Sequence, residues 1–256
     1  KGDLFYSRRV GSSPVERGDV YDELIEQPDE VEEVVENPNS VKMLNAIKVS
    51  GRNKNGLGIG VFNAITEKTM ASIKNTKYTL NENDEKIDST ITYRERVTEP
   101  FANYNIIVLD QQFNQNSSIS FINTSVLREG HFRDANASAL LIDLTDKTNT
   151  YNLSAQGKMS HLNLVGDNST GFDAGFQLRK VSGTYQYGLG GSFRDDTYNV
   201  NDLGFAVRNN FKNLEANFRY QTFEPRGILN SFNVRGVTSR RSTFGVGHPS
   251  YISTYL

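Results

Sequence analysis

The chain has 256 residues with no Cys and no Trp, 28 basic against 30 acidic residues for a formal net charge of -2, and a mean hydropathy of -0.54. Zero Cys excludes disulfide frameworks, thiolate metal sites and Cys nucleophiles, and no apolar run approaches the roughly 18 residues that a membrane-spanning helix needs. The length suits one large all-β domain, and 12 Tyr with 15 Phe are enough for interfacial aromatic girdles as well as lipid contact.

Residues 1–41 read as an acidic N-terminal arm or plug. Between Glu16 and Glu36 ten acidic residues stand against Arg17 alone, a net of -9 that leaves +7 on the rest of the chain. Such a block is either a solvated loop or an arm that meets basic groups elsewhere. Residues 42–256 read as part of a transmembrane β-barrel of about twelve strands, expected at 42–50, 57–65, 89–98, 101–110, 117–127, 137–145, 149–162, 171–181, 184–194, 202–209, 213–223 and 228–239. Many of these have the length a tilted strand needs to cross a bilayer core of about 30 Å. The stretch 67–88 is the least patterned and holds either a further strand or a long connection. Tight links are expected at 146–148, 182–183 and 210–212, and longer ones, rich in Asp, Asn and Gly, at 129–136, 163–170 and 195–201. Short turns on one side and long loops on the other are the outer-membrane pattern, with the tight side periplasmic.

The barrel reading rests on a two-residue period from about Gly171 to Ser239. Tyr185, Tyr187, Leu189 and Phe193 alternate with Gln186, Gly188, Gly190, Ser192 and Arg194; Leu203, Phe205 and Val207 with Gly204, Ala206 and Arg208; Leu214, Ala216, Phe218 and Tyr220 with Glu215, Asn217, Arg219 and Gln221. Successive strand side chains point to opposite faces, so each such strand lies between an apolar and a polar medium. Strands 101–110 and 137–145 break the alternation, at Ile106 to Leu109 and Leu140 to Ile142. Apolar residues on both faces require cover on both, and residues 1–41 are the candidate cover inside the barrel.

The polar faces then line a lumen that includes Gln177, Arg179, Gln186, Arg194, Arg208, Arg219 and Arg235, with Asp173 and Glu215 as the main acids. These charges are either locally paired, or the arginines meet the acidic arm or favour anionic solutes. Catalysis by the chain is not expected. His131, His161 and His248 show no metal-ligand spacing, and no nucleophile elbow is present. No metal and no cofactor are implied. Gly56-Leu57-Gly58-Ile59-Gly60 lacks the spacing of a nucleotide loop and reads as small lumen-side residues where another backbone packs close. The N-x-S/T triplets at Asn116, Asn123, Asn136, Asn152 and Asn168 carry no weight in a bacterial barrel.

Three blocks stand in order: Leu4-Phe5-Tyr6-Ser7-Arg8-Arg9-Val10-Gly11; Lys48 to Gly60, with Gly51-Arg52 and Asn55-Gly56, leading to Phe62-Asn63-Ala64; and Asn103-Tyr104-Asn105 leading to Val108-Leu109-Asp110-Gln111. Together they resemble a family of Bacteroidota envelope proteins in which a domain similar to family-9 carbohydrate-binding modules precedes a long C-terminal outer-membrane β-barrel. The resemblance covers residues 1–125 by motif and the remainder by pattern. It implies a bacterial outer-membrane location and contact with membrane lipid and lipopolysaccharide. It also implies glycan contact only through a domain upstream of Lys1, and further strands beyond Leu256; the chain lacks a leader at Lys1 and a terminal aromatic at Leu256, as an internal portion would. No nucleic-acid partner is expected.

Three functions follow as expectations. The first is a channel or transport component for solutes or glycan fragments, with an Arg-rich lumen narrowed by the N-terminal arm. The second is a plugged barrel that serves as a structural or assembly subunit for other outer-membrane proteins. The third is a soluble β-sandwich or adhesin, since a sandwich also alternates but buries one face of each sheet.

Overall fold

The computed structural model describes residues 4–164, 166–222, 224–225, 230–244 and 251–255. Among these, regular structure is almost all strand; the helical pieces are a 3-10 turn at Ser7–Arg9 and a short helix at Asp19–Asp22. The first strands are β1 (Glu30–Glu36), β2 (Met43–Arg52), β3 (Leu57–Thr66), β4 (Thr69–Leu80) and β5 (Lys86–Glu99). Next come β6 (Ala102–Phe113), β7 (Ser117–Arg128), β8 (Asp134–Thr145), β9 (Tyr151–Leu164) and β10 (Asp167–Lys180). β11 (Tyr185–Arg194), β12 (Phe211–Thr222), β13 (Phe232–Ser242) and β14 (Tyr251–Tyr255) complete the set.

The fold is all-β and antiparallel. Eleven strands form one sheet in the order β2-β3-β6-β7-β8-β9-β10-β11-β12-β13-β14, and β1-β4-β5 form a second, three-stranded sheet. The β4–β5 hairpin is an excursion between β3 and β6, which pair directly from Leu57↔Gln111 to Thr66↔Ala102. Among the described residues no pairing joins β2 to β14, so the large sheet is open. Eleven of the twelve expected strands are present within four residues of their expected limits.

Side-chain hydrogen bonds close the hairpins at one end of the large sheet. Asn53 Oδ1 accepts from the backbone N–H of Asn55 and Leu57, at 2.9 and 3.0 Å, ahead of Gly56 at φ 84°. Asp146 Oδ1 accepts from the N–H of Thr150 and Tyr151, at 2.6 and 2.7 Å, around Asn149 at φ 52°. Asn and Asp favour such turns because their short side chains bond to nearby backbone and tolerate the left-handed region. At this end all links from β2 to β11 are short, at 53–56, 114–116, 146–150 and 181–184. The opposite end carries the β4–β5 excursion and the long connection 195–210.

Two connections differ from expectation. The segment 163–170 is not a long loop: β9 and β10 continue through it to the pair Leu164↔Asp167. Its Asn and Thr residues lie on the paired ends of the two strands, so their polarity does not mark a break in the backbone. Conversely, 202–209 is not a strand. Gly204 N–H donates to Val200 C=O at 2.6 Å, Ala206 N–H to Asn201 Oδ1 at 2.8 Å, and Asn209 Nδ2 to Tyr198 C=O at 2.6 Å. These local bonds satisfy the backbone of 195–210 and fold it back onto the large sheet. Leu203, expected on an outward face, is 2% exposed beside Val10, Tyr104 and Val126.

Cover of the doubly apolar strands comes from two segments. Leu4 and Val10 of the N-terminal segment join Tyr198, Val200 and Leu203 of the 195–210 connection over Ile106, Ile122, Val126, Ala137 and Ala139. The acidic stretch goes elsewhere: Val20 and Leu24 pack with Val34 on Ala71 and Ile73 of β4, and β1 pairs with β4 from Glu30↔Lys77 to Glu36↔Ser72. A sandwich would bury one face of each sheet; here Phe172, Leu178, Leu189 and Leu214 on the apolar face of the large sheet are exposed.

Candidate functional site

The large sheet has two unlike faces, and their burial is the reverse of that in a soluble protein. On β10 the apolar residues Phe172, Phe176 and Leu178 are 48%, 48% and 51% exposed, whereas Asp173 between them is 4% exposed. Tyr185, Leu189, Leu214 and Phe218 on the next strands are likewise exposed, and Ser120, Lys158 and Ser160 on the other face are buried. Registers carry this parity across the sheet: Leu109↔Phe121, Phe121↔Leu140 and Leu178↔Leu189 meet on one face, and Lys158↔Asp173 and Asp173↔Arg194 on the other.

The apolar face is bounded at both ends. Toward the short turns it carries Tyr151, Tyr187 and Phe218, with Tyr185 and Tyr220 in the adjoining row, and the Tyr185 and Tyr220 rings lie 5.2 Å apart. Toward the other end a polar row crosses six strands through the pairs Asn63↔Asn105, Asn105↔Ser125, Ser125↔Asn136, Asn136↔His161 and His161↔Thr170. Asn63 Nδ2 donates to Asn105 Oδ1 at 2.9 Å, and His161 Nδ1 lies 2.8 Å from Thr170 Oγ1. Sequence reasoning missed this row, although the Asn-Tyr-Asn block at 103–105 is part of its edge.

The polar face holds three ionic groups. Arg52 meets Asp110, which also accepts from Ser120 Oγ. Asp173 takes Lys158 at 3.4 Å, Arg194 at 2.7 Å and Gln156 at 3.1 Å. Arg128 joins Glu99 at 3.1 Å to Asp202 at 2.9 Å, with all three side chains 3–4% exposed. The last group ties β5 and β7 to the 195–210 connection, and Val15 N–H adds the N-terminal segment by donating to Glu99 Oε2 at 2.7 Å. Between these groups lies a cavity of about 460 Å³ lined by Ser118, Ser120, Asp143, Gln156, Gln177 and Glu215.

Of the expected lumen residues, Gln177, Arg179, Gln186, Arg194, Arg219 and Arg235 share the polar face. Arg208 does not; it lies in the 195–210 connection, where its carbonyl accepts from Arg194 Nη1 at 3.0 Å. Arg194 is an anchor as well as a lining residue, because its guanidinium also sits 5.0 Å from the Tyr198 ring centre. The family-motif residues hold the cover in place. Phe5 packs on Phe62 at 5.6 Å between ring centres, Tyr6 N–H donates to Leu203 C=O at 2.6 Å, and Arg9 Nε donates to Gly204 C=O at 3.4 Å. Ser7 lies in the 3-10 turn, and Arg8 sits 5.9 Å from the Tyr6 ring centre. Gly51 is in edge strand β2, while Asn55 and Gly56 form the β2–β3 turn and accept, through their carbonyls, from Gln111 Nε2 and Gln112 N–H. Gly58 gives room to the Arg52 guanidinium and not to another backbone, and Gly60 has ordinary contacts. Within residues 56–60 the close backbone is at Gly56, where an added Cβ would lie 2.5 Å from Gln112 O, and a closer approach is at Gly171, 2.2 Å from Tyr198 N.

The acidic stretch does find basic partners, but on the small sheet. Arg94 donates in a fork to Glu32, at 2.7 and 2.8 Å. Arg96 takes Glu23 at 2.5 and 2.7 Å and Glu16 at 2.9 Å. The Arg94 hydrogen bonds pull the Glu32 carboxyl down from 4.5 to about 2, against a smaller opposing effect of burial, and Arg96 lowers Glu23 in the same way. The pairing of β1 with the β4–β5 hairpin was not legible beforehand, because 67–88 shows no clean period.

Among the described residues no group of three His, Asp or Glu side chains is placed to hold a metal ion; His131 stacks on Phe132, and His248 lies outside the described residues. Among the described residues no helix is long and apolar enough to cross a membrane. No curated protein and no solved structure matches the chain. Over residues 1–250 the sequence matches the family described as a domain of unknown function (DUF5916), and the chain belongs to that family.

Proposed function

We propose that this chain forms part of the wall of an outer-membrane β-barrel in a Bacteroidota envelope and that the barrel passes solutes. The observation that carries the proposal is the inverted burial of the large sheet, apolar side chains exposed on one face and Asp173, Lys158 and Ser120 buried on the other. Lipid on the first face and a wet lumen on the second supply the two media that this requires. The dimensions agree. From His161 in the polar row to Tyr151 in the aromatic row is ten residues of β9, about 34 Å at 3.4 Å per residue. A strand tilt of 35–45° brings this to about 24–28 Å, close to the apolar band of about 25 Å in such barrels. The aromatic row takes the place of an interfacial girdle, and the short turns beside it define the periplasmic side.

The 460 Å³ cavity offers hydroxyl, amide and carboxylate groups to a polar solute such as a glycan fragment. Residues 4–11 and 195–210 narrow the lumen from within. A second reading, a plugged barrel that docks other outer-membrane proteins, is favoured by the completeness of that cover, with Leu4, Tyr198 and Leu203 at most 2% exposed. Planar-bilayer conductance separates the two. A pore gives steady channels that widen when 195–210 is replaced by a short Gly-Ser link; correct insertion with no conductance in either form would leave only the scaffold. Deleting 16–36 leaves the lumen cover in place, so its effect on conductance is expected to be the smaller.

A further inference from the structure

Basic residues on the polar face divide into two kinds. Arg52, Lys158, Arg194 and Arg128 each have a carboxylate partner. Arg179, Arg219 and Arg235, nearer the short turns, have none among the described residues; nor do Lys48 of β2 and Arg241 of β13, the latter 5.4 Å from the Phe211 ring centre. Arg219 and Arg235 are direct cross-strand partners, which places their Cβ atoms about 4.5–5.5 Å apart and sets like charges against each other. Arg179 donates through Nη2 to Asn152 Oδ1 at 2.8 Å, yet its Nε is buried with no acceptor. Arg235 is exposed and Arg219 and Arg179 are half-buried, so the group stays open to solvent, and the buried Arg179 Nε is the donor that asks for an acceptor.

The backbone between them is cut away. Gly188 separates Arg179 from Asn217 in register, and a Cβ there would lie 3.0 Å from Arg179 Cγ and 2.9 Å from Asn217 Nδ2. Gln186 pairs with Arg219 and adds an amide to the same face. Arg179 and Arg219 are two strands and one side-chain repeat apart, about 12 Å between Cα positions from standard strand spacings. Long side chains can therefore converge on one solute.

We propose that Arg179, Arg219 and Arg235, with Gln186 and Asn217, form a station for an oxyanion, a phosphoryl or carboxylate group of a solute. Planar guanidinium forks match both groups with paired hydrogen bonds. Bound there, the anion supplies the charge that the Arg219–Arg235 pair lacks and the acceptor that Arg179 Nε lacks. As a stop on a solute's path the station rests on the barrel reading; as a binding site it does not.

The test is thermal unfolding of the detergent-folded full chain in inorganic phosphate or D-glucuronate, against chloride at matched ionic strength. The wild type is expected to gain in midpoint with one or both anions, and the larger gain identifies a phosphoryl or carboxylate ligand. Arg219→Gln/Arg235→Gln relieves the repulsion, so it starts higher in chloride and needs at least tenfold more anion for half its response. Arg179→Gln, which leaves that repulsion in place, also loses affinity. No anion effect on the wild type, or an equal effect on the variants, overturns the station. Anion binding lost in the variants of a chain that stays monomeric in water without detergent would uphold the station while removing the barrel.

Discussion

Gly171 marks the closest crossing of the chain over itself. The backbone of Thr197 and Tyr198 passes where its side chain would begin, at 2.2 to 2.5 Å from an added Cβ. No rotamer change relieves a clash with backbone, so Gly171→Ala must lift the 195–210 connection or bend β10. Overpacking of this kind costs about 1–3 kcal/mol. The expected result is a lowered unfolding midpoint together with faster proteolysis within 195–210. An unchanged midpoint and cleavage rate would show that the connection does not rest on the strand. The same position shows what a sequence does not reveal: Gly171 and Gly60 both interrupt strand patterns, and only the path of a distant segment distinguishes the one that is needed.

At the scale of elements, β1 depends on charge for its place on β4. Glu32 is central, since its carboxyl takes both arms of Arg94 and the N–H of Ile25 at 3.2 Å. Its folded-state value is depressed from 4.5 to about 2, so the stability it contributes is present above about pH 4.5 and is lost as pH falls toward 2. Because Arg94 is 40% exposed, solvent screening holds the contribution to about 1–2 kcal/mol. Amide protection of β1, taken relative to the intrinsic exchange rate at each pH, should fall between pH 4.5 and 2 in the wild type and already be low at pH 6 in Glu32→Gln. Pattern reading located the large-sheet strands because their two faces differ strictly, apolar and exposed on one side and polar on the other. It failed at β4, where the buried face is short: Thr69, Ala71 and Ile73, the last two under Val20, Leu24 and Val34. β4 reads Thr-Met-Ala-Ser-Ile-Lys-Asn-Thr-Lys-Tyr-Thr-Leu, with polar residues on both sides and its order supplied by β1 and β5. It failed again at 202–209, where Leu203, Phe205 and Val207 imitate a strand but only Leu203 is buried. The candidate site was half legible: alternation placed Gln177, Arg179, Gln186, Arg194, Arg219 and Arg235 on one face, while the pairing of Arg194 with Asp173 and the isolation of Arg219 and Arg235 are set by register.

For the whole molecule the decisive test of the proposed barrel is whether the apolar face meets lipid. Gln177 and Leu178 are neighbours in β10 with opposite orientations, so a charge at each tests the two media with the same strand. In lipid vesicles Leu178→Arg is expected to cost about 2–4 kcal/mol of folding free energy, as for a charge near the midplane, and Gln177→Arg less than about 1 kcal/mol. Equal costs would deny that the two faces meet different media. The open sheet adds a condition of its own. Every residue of β2 is exposed, and its unpaired edge presents a row of N–H and C=O groups along ten residues. Hydrocarbon offers these groups no partner, and each one left bare costs several kcal/mol. If the sheet is the wall of the proposed barrel, it cannot enter a bilayer first and find its neighbour afterwards: the edges of β2 and β14 must be satisfied during insertion, by each other or by other strands, and crossing the membrane and completing the wall become a single cooperative step.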